Sequence, residues 1–326
     1  MPEQTPSDRN LALDAVRATE AAALAASRFL GCGDDQAADR AAVEAMHSTL
    51  MEAPIDGAIR IGEGSESEVE KLYRGEKVGT GSGPVMDIAL MALEGPSIIA
   101  KGGPEGLSVI ALTQQDGFLN VPNIYMDKIA VGAGLPQGIV DLDEEPAKNL
   151  KELAKAKNLS VDELVVCVLD RPRHSQLIAK IREAGSRLVL IPDGDVSGVI
   201  ATVWPSSGIN VFMGIGGAYQ GVLAAAALGC VGGQIQCRLV LRNDDEKKSA
   251  GEYGIDDPDR KYSAGDMAKG DVTFAATGVT SGAILPGVHS RHGSIVTQSL
   301  IMRSATGTLR QVKTHHNFAR QAPKGN

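Results

Sequence analysis

Apolar positions along the chain fall into two regimes. Residues 11–30 carry Leu11, Val16, Ala23 and Leu30 at helical intervals, which predicts a helix that Gly31 stops. A second helix is predicted from about Gln36 to Met51. Short apolar runs bounded by glycine or proline then predict strands at 58–61, 87–93, 107–112 and 124–131. The chain turns acidic from Asp141 to Glu145, ahead of Pro146. This predicts two units, an N-terminal α+β unit over 1–145 and a C-terminal α/β unit over 146–326.

Beyond that point strands and helices alternate. Strands are predicted at 164–169, 187–191, 209–213 and 235–241, and helices at 174–184, 196–203 and 220–228. Such alternation implies a largely parallel sheet with right-handed crossovers. Ligands of such sheets bind beyond the carboxyl ends of the strands. Residues 244–253 read as a charged, solvated segment without a site signal, and 272–276, 295–302 and 308–314 read as strands again.

Composition narrows the function classes. The 326 residues allow two domains or one large one and a sizeable core. The 40 acidic residues outnumber the 32 basic ones, a formal charge of -8, which argues against nucleic-acid or acidic-membrane partners. Aromatic residues at 3% argue against a base-stacking platform. The cysteines Cys32, Cys167, Cys230 and Cys237 form no CxxC pair and read as reduced thiols, with Cys230 and Cys237 too far apart in the pattern for a redox pair. No apolar run reaches the roughly 18 residues of a membrane span, and the polar first ten residues hold no apolar leader segment. The expectation is a cytoplasmic protein.

Three predicted strand ends carry chemistry: Asp170-Arg171-Pro172-Arg173-His174, Asp193-Gly194-Asp195, and Gly214-Ile215-Gly216-Gly217. Glycines ahead of a helix expose backbone N–H groups where the helix dipole is positive, which suits an anion. Arg171 and Arg173 add fork-shaped phosphate donors. The glycine run reads as an anion seat or as a tight connection, and Asp195 as a ligand contact or a helix N-cap. In the first half, Asp39, Glu63 and Glu94 are carboxylates near helix or strand ends, hard donors that suit Mg²⁺ or Mn²⁺, or caps and surface charges. His289, His292, His315 and His316 have no helical metal-ligand spacing. Together these features point to a divalent-metal phosphate-ester site.

Motifs in order along most of the chain carry a family resemblance. They are Ala37-Ala38-Asp39, Ile61-Gly62-Glu63-Gly64, Gly75-Glu76-Lys77-Val78-Gly79, Tyr125-Met126-Asp127-Lys128, Arg171-Pro172-Arg173-His174, Asp193-Gly194-Asp195-Val196, Met213-Gly214-Ile215-Gly216-Gly217 and Ala275-Ala276-Thr277-Gly278. The chain resembles the class II fructose-1,6-bisphosphatases, including the dual fructose-1,6-/sedoheptulose-1,7-bisphosphatases. The resemblance implies the layered αβαβα sugar-phosphatase fold, Mn²⁺ or Mg²⁺, and hydrolysis of the 1-phosphate of fructose 1,6-bisphosphate in gluconeogenesis or the Calvin cycle. It also implies a homo-oligomer, dimer or tetramer. It places metal ligands at Asp39, Glu63, Glu94 and Gln220, and catalysis at Glu94 with Ser97 beside it. It places sugar-phosphate contacts at Glu94, Gly95, Pro96, Tyr125, Arg171, Pro172, Arg173, Asp193, Gly194, Asp195 and Gly217.

Departures cluster at the metal and water positions. Met91 stands where the family pattern has a metal-binding Asp, and Pro96 where it has a water-positioning Thr. Gln220 stands for a metal-ligating Glu, and Ser67, between Glu66 and Glu68, for an Asp. Two readings follow: a bisphosphatase with impaired catalysis, or a sugar-phosphate-binding or regulatory homologue.

Overall fold

The computed structural model describes residues 6–291 and 294–317. Its elements are α1 (Pro6–Ala26), α2 (Asp35–Met51), β1 (Asp56–Ile61), β2 (Lys77–Val78), β3 (Val85–Glu94), α3 (Pro96–Lys101), β4 (Leu107–Gln114) and β5 (Tyr125–Val131). There follow α4 (Pro146–Lys157), β6 (Val165–Leu169), α5 (Ser175–Glu183), β7 (Arg187–Ile191), α6 (Asp195–Ile200), β8 (Val211–Gly217), α7 (Ala218–Val231) and β9 (Gln234–Val240). The chain closes with α8 (Asp244–Glu252), β10 (Tyr262–Ser263), α9 (Ala264–Met267), β11 (Thr273–Gly278), β12 (His289–Arg291), β13 (Ser294–Arg303) and β14 (Thr308–His316).

Local chemistry sets the punctuation. Gly31 and Gly33, both at positive φ, separate α1 from α2, and the Asp34 carboxylate caps α2 by accepting from Ala37 N at 2.8 Å. Pro146 opens α4, where its missing N–H costs nothing. Helix α7 is apolar almost all round, so it must be buried on every side.

The strands form two sheets. One has eight strands, ordered β12-β13-β11-β4-β3-β1-β2 with β14 on β13; the other has six, ordered β10-β9-β5-β8-β6-β7. Helices α1 and α2 cover the outer face of the first sheet around Val16, Met46, Ile59, Leu90 and Ile110. Helices α6 and α7 fill the space between the sheets with Val199, Val222, Leu223, Phe212 and Phe274. Helices α4 and α5 cover the second sheet through Leu150, Leu153 and Ile181. The result is the layered αβαβα architecture the resemblance implied.

The largely parallel sheet expected from alternation is not what forms. Only β7, β6 and β8 run parallel; β5, β9 and β10 pair antiparallel. Strand β5 reaches this sheet from before the acidic stretch 141–145, so alternation downstream could not report it. Residues 244–253 are largely helix α8, capped by Asn243, and helices α3 and α4 were not expected. Among the described residues no helix is long and apolar enough to cross a membrane. His292 lies outside the described residues. The other three of that group, His289, His315 and His316, sit on β12 and β14.

Candidate functional site

Because β6 and β7 run parallel, the loops after them leave the second sheet at the same end. Strand β8 delivers Gly217 there, and antiparallel β5 begins there with Tyr125, in register with Gly217 and with Val240 of β9. A cavity of about 410 Å³ opens between them, lined by Tyr125, Arg171, Arg173, Asp193, Asp195, Gly217 and Gln220. Arg242 also lines it; it follows β9 two residues beyond Val240.

One wall is cationic. Two guanidiniums pack over the Tyr125 ring, Arg173 at 4.9 Å and Arg242 at 4.8 Å from its centroid. Arg173 is anchored by donating to the Ile215 carbonyl at 3.0 and 2.8 Å. Arg242 is anchored by donating through Nε to Glu246 Oε1 at 2.9 Å, and the cap at Asn243 fixes Glu246 in turn. Arg171 approaches Asp193 at 3.8 Å.

Acids lie at and behind the same cavity. Glu94 is 2% exposed, and its carboxylate accepts from Val196 N at 2.6 Å and Ser197 N at 3.3 Å, at the start of α6. Burial, and then the neighbouring Asp195, push its pKa well above the ordinary carboxylate value. Ser97 Oγ donates to Asp193 Oδ2 at 3.1 Å, which ties α3 to the cavity rim. Asp195 is not the N-cap of α6; Gly194 is, at φ 85, and the Asp195 side chain instead pairs with Lys128 of β5.

The glycine run also differs from its expected role. Gly214 and Gly216 lie inside β8 rather than in a loop. An added Cβ at Gly216 would fall 2.1 Å from Asp195 Oδ2, and one at Gly214 would fall 3.0 Å from His174 Nε2. These glycines make room for buried side chains. Only Gly217, at the N-cap of the fourteen-residue α7, keeps the position of an anion seat.

A second acid group sits at the carboxyl ends of β1 and β3, which run parallel. The bulge in β3 between Met91 and Glu94 frees Ala92 N, which donates to Glu63 Oε1 at 2.7 Å. Burial, reinforced by the charge of Asp39, pushes Glu63 up to about 8. Asp39, on α2, is itself raised by burial and by Asp35. Neither carboxylate has an ion-pair partner among the described residues. A half-buried, uncompensated acid pair is a donor set that suits a hard divalent cation. Glu94 faces Asp193 and Asp195 instead, and among the described residues no three of His, Cys, Asp or Glu gather as a metal-binding group.

A family profile described as "Bacterial fructose-1,6-bisphosphatase, glpX-encoded" matches residues 9–316. The chain is 40% identical over 347 aligned positions to the D-fructose 1,6-bisphosphatase class 2/sedoheptulose 1,7-bisphosphatase of Synechococcus sp. (strain JA-2-3B'a(2-13)), covering 98% of this chain and 99% of that one. It is 41% identical over 331 positions to the fructose-1,6-bisphosphatase 1 class 2 of Escherichia coli (strain K12), covering 97% and 98%. The chain belongs to the class II fructose-1,6-bisphosphatases. Membership implies a sugar bisphosphate substrate and dependence on a divalent metal.

Against that family pattern the substituted positions have clear surroundings. Met91 is half-buried and packs on the central core. Pro96 occupies the first position of α3, where proline is well suited, after Gly95 at φ 80. Gln220 folds back along the backbone, its Oε1 1.9 Å from where a Cβ on Gly217 would lie. Of the expected bisphosphatase site residues, Tyr125, Arg171, Arg173, Asp193, Asp195, Gly217 and Gln220 share the cavity. Glu94 and Ser97 join it through Asp195 and Asp193. Gly95, Pro96, Pro172 and Gly194 shape the adjoining turns, and Asp39 with Glu63 forms the separate acid pair. Sequence reasoning missed Arg242, and it named Lys128 only as part of a motif, with no role in the site.

Proposed function

We propose that this chain binds a sugar bisphosphate, fructose 1,6-bisphosphate or its seven-carbon counterpart, and that its hydrolysis of the 1-phosphate is strongly impaired. The observation that carries the reading is a contrast within one site. The guanidinium wall of Arg171, Arg173 and Arg242 is complete, whereas two expected anionic donors are a core-packed Met91 and a neutral Gln220. A thioether and an amide are poor ligands for a hard cation.

In this reading the guanidiniums hold one phosphate by charge-assisted hydrogen bonds, and Gly217 with the start of α7 receives backbone-directed contacts. Asp39 and Glu63 would hold one Mn²⁺ or Mg²⁺, which would supply charge neutralisation at the scissile phosphate. Pro96 stands where the pattern has a threonine, and Ser97, one residue on and held by Asp193, would substitute for that hydroxyl only in part, from a different direction. The reading includes a dimer or tetramer, a cytoplasmic setting and a role in gluconeogenesis or the Calvin cycle.

Calorimetric titration of fructose 1,6-bisphosphate, with and without Mn²⁺, tests the binding half. The expected dissociation constant falls in the roughly 1 μM–1 mM span common for enzyme substrates. No heat of binding at millimolar ligand under either condition would overturn it.

A further inference from the structure

Lys128 is among the largest fully buried side chains of the described residues, and its side chain is 0% exposed. An ammonium is kept in such a place only with a partner. Its partner is Asp195 Oδ2. Space around the pair is made by glycine: an added Cβ would fall 2.7 Å from Lys128 Nζ at Gly216 and 3.2 Å from Lys128 Cε at Gly221. The chain therefore builds around this pair from β5, α6, β8 and α7.

The pair reaches the cavity through Asp195, which lines it. Asp195 Oδ2 is committed to Lys128, and Oδ1 takes no hydrogen bond among the described residues. An ionised carboxylate only accepts hydrogen bonds. It repels a phosphate and receives a hydroxyl.

We propose that Lys128 is a positioning residue that fixes Asp195 as the acceptor for a sugar hydroxyl, so that the site reads the carbon chain and not only its phosphates. The inference rests on the sugar-bisphosphate reading above and extends it by naming the group that separates a sugar from any other bisphosphate.

Fructose 1,6-bisphosphate and hexane-1,6-diol bisphosphate carry the same two phosphate groups on six carbons and differ in what lies between them, a hydroxylated furanose ring against a bare methylene chain. Calorimetric titration of both into the native protein and into Lys128→Met/Asp195→Asn tests the inference. The double variant is chosen because losing both charges leaves neither stranded; its thermal melt checks that it folds. The native protein should prefer the sugar by about tenfold or more, the worth of a hydrogen bond to a charged group. The double variant should lose that preference through weaker sugar binding alone, with the diol ligand unchanged. A double variant that keeps the preference, or that loses both ligands equally, overturns the positioning role. The native comparison stands without any variant: equal binding of the two ligands overturns this inference alone. A native protein that binds neither overturns the sugar-bisphosphate reading, and this inference with it.

Discussion

Gly216 stands against Asp195: a Cβ at position 216 would lie 2.1 Å from Asp195 Oδ2, so only glycine leaves the Lys128–Asp195 pair intact. Gly216→Ala should therefore cost about 3 kcal/mol or more, combining overpacking with a broken buried ion pair. Gly229, exposed on α7, has its nearest outside atom 4.0 Å from an added Cβ. Gly229→Ala should stabilise by roughly 0.5–1 kcal/mol through helix propensity. Urea unfolding of the two variants should move the midpoint in opposite directions, and equal effects would contradict the packing described.

Glu63 predicts the pH dependence of the metal-free protein. Its folded pKa, about 8, lies above the unfolded value of about 4.3, so the fold favours its protonated form. That contribution is complete below the unfolded value and is lost as pH rises through about 8. In chelator, the urea midpoint should be higher at pH 6 than at pH 9. Glu63→Gln should narrow the difference without abolishing it, because Glu94 is shifted in the same direction. A native midpoint independent of pH would contradict the assignment.

Arg242 should behave as a phosphate contact. Arg242→Ala is expected to weaken fructose 1,6-bisphosphate binding about tenfold to 100-fold, the usual worth of a hydrogen bond to a charged group. Glu246→Ala should give a smaller loss, since it frees the guanidinium without removing it. If calorimetry finds Arg242→Ala binding like the native protein, the third guanidinium does not face the ligand.

Thiol reactivity should divide sharply. Burial pushes the thiols of Cys167, Cys230 and Cys237 up to about 12, whereas Cys32 is exposed. A chromogenic disulfide reagent should titrate one thiol in the native protein and four in guanidinium. Rapid modification of more than one native thiol would show that the core around α7 opens.

Much of the site was legible because its residues follow strands. Arg171, Arg173 and Asp193 sit just past apolar runs, and in a parallel set such positions converge. Pairing was not legible. The alternation of elements does not say that β5 enters the second sheet antiparallel, so nothing in the sequence placed Arg242 beside Tyr125. That contact follows from the register of Tyr125 with Val240. Lys128 was visible as part of the Tyr125–Lys128 motif, but nothing in the pattern says that its side chain turns into the core toward Asp195. Gly214 and Gly216 were misread for a related reason: a glycine pattern does not say which neighbour needs the room, and here it is His174 and Asp195. The three substitutions at 91, 96 and 220 were legible only against a family pattern, and the core packing of Met91 explains why that residue is tolerated.

In the proposed reading, lost donors rather than lost substrate binding limit this chain. Phosphate release from fructose 1,6-bisphosphate with Mn²⁺ tests it most directly, measured for the native protein, for Met91→Asp/Gln220→Glu, and for that pair with Pro96→Thr. Native turnover is expected far below the roughly 1 s⁻¹ at the low end of typical enzymes, with a rise in the double and triple variants. Native turnover at or above about 1 s⁻¹, with no gain on reversion, would contradict it.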